Sequence, residues 1–421
     1  MPHLASIALH PPYVTVSDIQ SRMGIFSKTP AVSTDEKAID ELLSRGVYEL
    51  IVKEDLRRAL LSGKRLRVKL GIDPTSPSLH LGRTIPLLKL RDFQKLGHQI
   101  VFIVGDFTAV IGDTSDKEAE RPMLTSEVIE QNKKSYFAQV GKVIDLKAAE
   151  LRYNSEWLGP LTYKEIGEHA DLFSVADFIA RDNIKKRLDA GKRVSLREVL
   201  YPLMQGYDSV AIKADVELGG TDQKFNLLAG RTMQEKLGQR PQNIVVGPLI
   251  EGLDGRKMSS SWGNTITLTM EPSDMYGKIM SMHDESVATY FELCTRTPMD
   301  EVRQILGGHP KEAKMRLAHD LVAQYHGKEA AERAQESFTN TFSEGGTPTE
   351  VPEVSVGPEV KYIDAIAAGL RESKSEIRRL VEAGAISEVS GDVLKDVNAT
   401  ITKDMTLRIG KHRFLKITLT K

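Results

Sequence analysis

The spacing of apolar positions along the 421-residue chain changes several times, and each change marks an element. From Asp35 to Gly63 the pattern is helical. Arg67–Ile72 then reads as a short strand that stops at the turn residues Asp73-Pro74-Thr75. Leu81, Ile85 and Leu88 return at helical spacing, and Gly97 ends that helix. Ile100–Val104 is a continuous apolar run, the pattern of a parallel strand buried on both faces. Strand, helix, strand in this order is a βαβ unit, which predicts a parallel sheet with ligands at the C-terminal strand ends. A further β-rich stretch spans Ile244–Ile250, and residues 271–343 read as mostly helical. Gly, Pro and acidic residues then dominate from Glu344 through Gly357-Pro358, which marks a linker. A compact module follows, and residues 1–34 form a loose extension.

Composition narrows the classes. The chain is 40% hydrophobic and 27% charged, as expected of a soluble globular protein of more than one domain. No apolar run approaches a membrane span, and no leader pattern opens the chain. A lone cysteine, Cys294, excludes a disulfide framework and a cysteine-rich zinc site. These features predict a cytoplasmic protein with no membrane partner. Net charge is −1, yet residues 361–421 hold 12 Lys/Arg against 8 Asp/Glu, a basic module on an acidic body. That asymmetry fits an RNA-binding surface or an ordinary solvated one.

Two short segments carry nucleotide chemistry. Asp73-Pro-Thr-Ser-Pro-Ser-Leu-His-Leu-Gly-Arg83 joins the first strand to its helix. A helix N-terminus attracts phosphate, Gly82 admits a close backbone approach, and Thr75 and His80 are hydrogen-bond donors. An incidental histidine at a capped helix start would look the same. Gly252-Leu-Asp-Gly-Arg-Lys-Met-Ser-Ser-Ser261 is a Gly-rich cationic loop able to close over a triphosphate, or a solvated turn. In this order the pair resembles the HIGH and KMSKS motifs of class I aminoacyl-tRNA synthetases, carried by His80-Leu-Gly-Arg83 and Lys257-Met-Ser-Ser-Ser261. Arg83 stands where the family usually has histidine, and Ser260 where it has a second lysine. The resemblance implies ATP as a substrate with Mg2+ bound through its phosphates and no protein metal site. It implies catalytic roles for Thr75, His80, Arg83, Lys117, Arg256 and Lys257. ATP contacts are expected from Asp73, His80, Gly82, Gly219, Gly220, Asp222, Lys257, Ser259, Ser260 and Ser261.

Tyr201, Gln205 and Asp208 recur at positions i, i+4 and i+7, which puts a phenol, an amide and a carboxylate on one helix face. Burying them without partners would cost several kcal/mol, so they face either water or a polar ligand. With Asp215-Val-Glu-Leu-Gly-Gly-Thr-Asp-Gln223, the stretch resembles the amino-acid pocket of tyrosyl-tRNA synthetases. Carried over, Asp208 holds the substrate phenol, while Tyr201, Gln205 and Asp113 surround its ammonium group. Gln223 faces the carboxylate, and Lys69 stands where some relatives place a tyrosine on the hydroxyl. Asp113 and Lys117 lie in Ile111-Gly-Asp-Thr-Ser-Asp-Lys117, which departs from the family's segment at Thr114 and Asp116.

The stretch His309–His319 resembles the family's helical anticodon-side region. Ala368–Gly384 reads as helix–turn–helix with a helix starting at Ser375 and Gly384 just past its end, and Phe414–Leu419 as a strand. This resembles a small α+β RNA-binding module, with Lys374, Arg378, Arg379, Lys411 and Arg413 toward tRNA phosphates.

The expected architecture is α/β. It comprises an extension (1–34), a Rossmann-like parallel-sheet catalytic domain (35–264), a helical anticodon-side domain (265–343), a linker (344–358) and the RNA-binding module (359–421). The resemblance implies activation of tyrosine with ATP, transfer to tRNA, and a homodimer with part of residues 120–200 at its interface. Three alternatives remain at this stage: a tryptophanyl-tRNA synthetase, a nucleotidyltransferase acting on a small metabolite, and a non-catalytic RNA-binding relative.

Overall fold

The computed structural model describes residues 31–113, 123–342, 351–370, 372–389, 391–410 and 413–420. Lys117, Lys411, the first thirty residues and the Thr114 and Asp116 departures lie outside the described residues, as does the side chain of Ser261. The chain forms two compact units. One runs to Met270 and takes in Lys278–Leu317; the other holds Glu271–Gly277 and the chain from Ala318 onward.

The first unit is built on a six-stranded sheet. Its strands are β1 (Glu49–Ile51), β2 (Arg67–Ile72), β3 (Gln99–Val104), β4 (Ala149–Tyr153), β5 (Val216–Gly220) and β6 (Asn243–Gly247), in the order β1-β6-β5-β2-β3-β4. All neighbours are parallel except β1, which runs antiparallel to β6. Ile100 to Val104 are fully buried, as the unbroken apolar run predicts for a strand inside a parallel sheet. The chain proceeds from β2 through β3 to β4 on one side, then returns beside β2 as β5. The crevice beyond the C-terminal ends of β2 and β5 is therefore a topological switch point, where such sheets bind ligands.

The helical reading of 35–63 needs correction. It contains α1 (Glu36–Ser44), capped by the Asp35 carboxylate on Ala38 N at 2.7 Å, and α2 (Lys53–Leu61), with β1 between them. Gly46 takes a left-handed φ of 60°, and the Val47–Val52 run, aliphatic or aromatic except for Glu49, pairs through Glu49–Ile51 with β6 instead of continuing the helix. Farther along come α3 (Leu81–Lys95), ended by Gly97 at φ 88°, α4 (Asp106–Ile111), α5 (Ser126–Val140) and α6 (Ser155–Leu158). Three short helices follow, α7 (Tyr163–Ala170), α8 (Val175–Ile179) and α9 (Asp182–Asp189). Then α10 (Leu196–Ala211) starts on a Ser195–Glu198 capping box, and α11 (Lys224–Lys236) leads into β6.

Residues 271–343 are mostly helical, as read: α12 (Pro272–Met280), α13 (Val287–Cys294), α14 (Met299–Leu306), α15 (Pro310–His326) and α16 (Lys328–Phe342). Within the first unit, the buried Arg45 guanidinium donates to the carbonyls of Phe291, Glu292, Thr295 and Thr297 at 2.9–3.2 Å, satisfying the C-terminal end of α13. No described helix is long and apolar enough to cross a membrane.

The second unit carries a four-stranded sheet, β7 (Glu353–Val356), β10 (Arg413–Leu419), β9 (Met405–Ile409) and β8 (Ile386–Glu388) in spatial order. Helices α17 (Tyr362–Leu370) and α18 (Lys374–Glu382) cover it around Ile363, Ile366, Ile377, Leu407 and Ile417. Two readings shift. The second half of the predicted linker is β7, because Val354 and Val356 alternate with polar residues and pair parallel to β10. The α18 cap is Ser373, whose hydroxyl accepts from Glu376 N at 3.3 Å, so the helix begins before Ser375. Gly384 follows the helix at φ 65°, as expected of a C′ glycine.

Candidate active site

A cavity at the switch point gathers most of the residues singled out from sequence. Asp73, Thr75, His80, Gly82, Arg83, Asp113, Tyr201, Gln205, Asp208, Gly219, Gly220, Asp222, Gln223, Lys257, Ser259 and Ser260 all line it. Lys69 and Arg256 do not.

One end is cationic. His80 closes the β2–α3 turn in extended conformation at the N-terminus of α3 and lines the cavity. Its ring is buried, and burial followed by the charges of Arg83 and Lys257 pushes its pKa down to about 3. The imidazole is therefore neutral and can act only as a hydrogen-bonding group. Arg83 holds its guanidinium 3.3 Å from Thr75 Oγ1 and 3.5 Å from the Asp73 carbonyl. Lys257 reaches in from the second motif and pairs with Asp222 at 2.9 Å. Arg256 instead bonds Asp254 at 2.8 Å and lies 4.8 Å from the Trp262 ring centroid, outside the cavity.

The two motifs are joined through the backbone. Leu81 N donates to Ile266 O and Leu268 N to Leu79 O, both at 2.9 Å, and Gly82 N approaches Met258 Sδ at 3.3 Å. Across the Lys257 loop, Met258 N donates to Ile250 O and Gly252 N to Arg256 O. The Asn264 carboxamide accepts from Ser259 N at 2.9 Å and donates to Asp254 at 2.7 Å.

The other end is buried and acidic. Asp73 accepts from Thr108 Oγ1 at 2.7 Å and from the Tyr201 hydroxyl at 2.9 Å. A side chain at Gly105 would fall within 2.0 Å of the Asp73 carboxylate, so only glycine fits there. Burial raises Asp73 to about 6 against those two hydrogen bonds. Asp208 accepts from Trp157 Nε1 at 2.8 Å and is 3.5 Å from Asn154 Nδ2. Burial lifts its pKa to about 7, opposed by the Lys69 charge and the Trp157 N–H. The Tyr201 phenol is driven well above its usual range by burial and by Asp73.

Lys69 points to the far side of β2. Its ammonium meets Glu217 at 2.9 Å, Ser209 Oγ at 2.8 Å and Gln205 O at 3.0 Å, all buried. It thus ties β2 to α10 and does not line the cavity. Sequence reasoning missed Thr108, Asn154 and Trp157, which complete the acidic end. Their signal was faint: an Asn directly after a strand, and a Thr and a Trp each four residues past one.

In the second unit, Lys374, Arg378, Arg379 and Arg413 are all exposed. Lys374 pairs with Asp364, Arg379 with Glu376 and Arg413 with Glu372.

Comparison with known proteins adds an independent line. Residues 61–343 match the family model for class I tRNA synthetases of the W and Y type. A tyrosine–tRNA ligase of Dehalococcoides mccartyi is 45% identical over 90% of this chain and 98% of its own length. Another from Moorella thermoacetica is 44% identical over 89% and 94% respectively. Among solved structures, a truncated mitochondrial tyrosyl-tRNA synthetase of Coccidioides posadasii superposes with a TM-score of 0.59 at 23% identity, over 71% of this chain and 90% of its own. The Archaeoglobus fulgidus enzyme, solved with L-tyrosine, gives 0.58 at 22% identity over 72% of this chain and all of its own. At those identities the structural likeness speaks for the fold.

Proposed function

The chain belongs to the class I tyrosine–tRNA ligases, and from that premise we propose how its cavity activates tyrosine with ATP and charges tRNA. The tyrosine carboxylate attacks the α-phosphorus, a new O–P bond forms, and the bond to the β-phosphate breaks, releasing pyrophosphate. The nucleophile is ionised at neutral pH and needs no general base. The terminal ribose hydroxyl of tRNA then attacks the adenylate carbonyl, and AMP leaves.

The residues supply position and charge. The observation that carries the reading is the division of one cavity into a cationic end on Arg83 and Lys257, with the neutral His80 imidazole beside them, and a buried acidic end on Asp73, Tyr201 and Asp208. The acidic end takes the amino acid. Asp208, already held by the Trp157 N–H, receives the substrate phenol. Phenylalanine would leave that carboxylate buried without its partner, which is the costly outcome. The cationic end takes the triphosphate. Lys257 exchanges Asp222 for phosphate oxygens, and Arg83 and Thr75 line the same side. Gly219 and Gly220 leave room for the ribose beside Asp222; a side chain at Gly220 would come within 2.6 Å of that carboxylate. We assign Mg2+ to the phosphates of ATP. Bound there, it would neutralise charge on the leaving pyrophosphate.

The exposed cations of the second unit, Lys374, Arg378, Arg379 and Arg413, are assigned to tRNA phosphates. Exposed Tyr163, Val175 and Leu196 support a homodimer contact in the 120–200 region, which sedimentation of wild type against Tyr163→Asp would test.

The deciding experiment is ATP–pyrophosphate exchange with tyrosine, phenylalanine and tryptophan. Exchange with tyrosine alone is expected. Exchange with tryptophan instead, or with none of the three, would overturn the reading. Removing residues 351–421 should weaken tRNA charging and leave tyrosine-dependent exchange intact.

A further inference from the structure

Behind the cavity, a run of buried side chains links residues that line it to residues that do not. Asn226, on α11, is fully buried. Its Nδ2 donates to two amide oxygens at once, Gln205 Oε1 at 3.0 Å and Gln223 Oε1 at 3.1 Å. Both glutamines line the cavity; Asn226 does not. A side-chain amide presents an acceptor on one side and a donor on the other. With both oxygens drawn back to Asn226, the two NH2 groups are aimed elsewhere. Gln223 Nε2 donates to Asp113 Oδ2 at 2.7 Å, and Gln205 Nε2 lies 3.4 Å from Glu217 Oε1. Glu217 is in turn held by Lys69 at 2.9 Å and by Ser209 Oγ at 2.8 Å. The buried ion pair thus anchors one end of the network and the cavity carboxylate Asp113 terminates the other.

We propose that Asn226 is the positioning residue that fixes the polarity of the Gln205 and Gln223 amides, and through Gln223 the Asp113 carboxylate, so that the cavity is preset for a zwitterionic amino-acid head. The inference rests on the reading of the acidic end as the amino-acid subsite. An ammonium group needs acceptors and a carboxylate needs donors. Two glutamines free to flip would offer a mixture of both, and each wrong orientation would set like against like. Holding them in one orientation before substrate arrives lowers the cost of binding, because the ordering is already done.

The test uses Asn226→Asp in the full-length protein. The substitution keeps the shape but leaves only acceptors facing the two amide oxygens, so both amides are driven to flip. In tyrosine-dependent ATP–pyrophosphate exchange the KM for tyrosine should rise about tenfold, with the KM for ATP within about twofold of wild type. Asn226→Ala, which withdraws the donor without supplying a repulsive acceptor, should raise the tyrosine KM by less. It also serves where the aspartate variant fails to fold. An unchanged tyrosine KM in either folded variant would overturn the proposal. So would parallel losses in tyrosine KM, ATP KM and kcat, which would mean general damage. Absence of exchange in the wild type would instead strike at the functional reading itself.

Discussion

The two ends of the cavity solve opposite problems by different means. The phosphate end is made of short contiguous motifs, a helix start and a hairpin-like loop, with cations at or near the surface. Its residues pair with one another, as Lys257 does with Asp222. The amino-acid end is assembled from separate segments around β2, α4, α6 and α10, and its carboxylates are buried and already hydrogen-bonded. On the proposed mechanism, charge at the first end acts where the reaction develops charge. Order at the second end is built during folding, and the cost appears as carboxyl groups raised to about 6 and about 7. In the proposed function, one end serves the transition state and the other recognition.

Substitutions should separate the two. The largest effect is expected at Lys257→Ala: adenylate formation slowed roughly 10²–10³-fold, with tyrosine affinity unchanged, read by single-turnover kinetics and equilibrium binding. Equal losses in both would erase the contrast. Next, Asp208→Asn should raise the tyrosine KM roughly 10- to 100-fold and narrow the margin over phenylalanine, with little change in the ATP KM.

A third prediction uses pH. Asp208 must ionise to serve as a full acceptor, so the wild-type KM for tyrosine should fall as pH rises through about 7, while Asp208→Asn shows no such step. Stability moves the other way. A carboxyl whose folded pKa is raised contributes stability that is fully present below its ordinary value of 3.8 and lost as pH climbs to about 7. Asp208→Asn should therefore gain Tm over wild type at pH 8 and gain less at pH 5. The smallest effect should follow Trp157→Phe. Losing one N–H to Asp208 should raise the tyrosine KM about two- to tenfold and push the pH step upward.

How far each end could be read from the sequence follows the same division. The cationic end was legible because its residues lie in two contiguous stretches, and the strand Arg67–Ile72 was legible because a short stretch with Val68, Leu70 and Ile72 met Asp-Pro. Tyr201, Gln205 and Asp208 were legible because helical spacing put them on one face. Thr108, Asn154 and Trp157 were not, since each meets its partner across a long stretch of chain; Asn226 was not, since a lone helical asparagine carries no pattern that names its partners. Lys69 was misjudged for a related reason. Alternation along a strand does not say which face of a two-sided sheet meets the ligand. The breaks at Gly46 and the strand Glu353–Val356 depended on pairing partners far away in sequence.

The backbone stitch between Leu79–Leu81 and Ile266–Leu268 has one more consequence. It is made of main-chain groups only, so side-chain drift on either segment leaves it intact. The two motifs, far apart in the chain, are therefore hinged on a common seam, and everything between them is a long excursion that starts and returns there. Such an excursion is open to rearrangement. A chain cut in the exposed turn at Gly191 would leave one motif on each fragment, and the seam is where the two pieces would have to mend to recover the reaction.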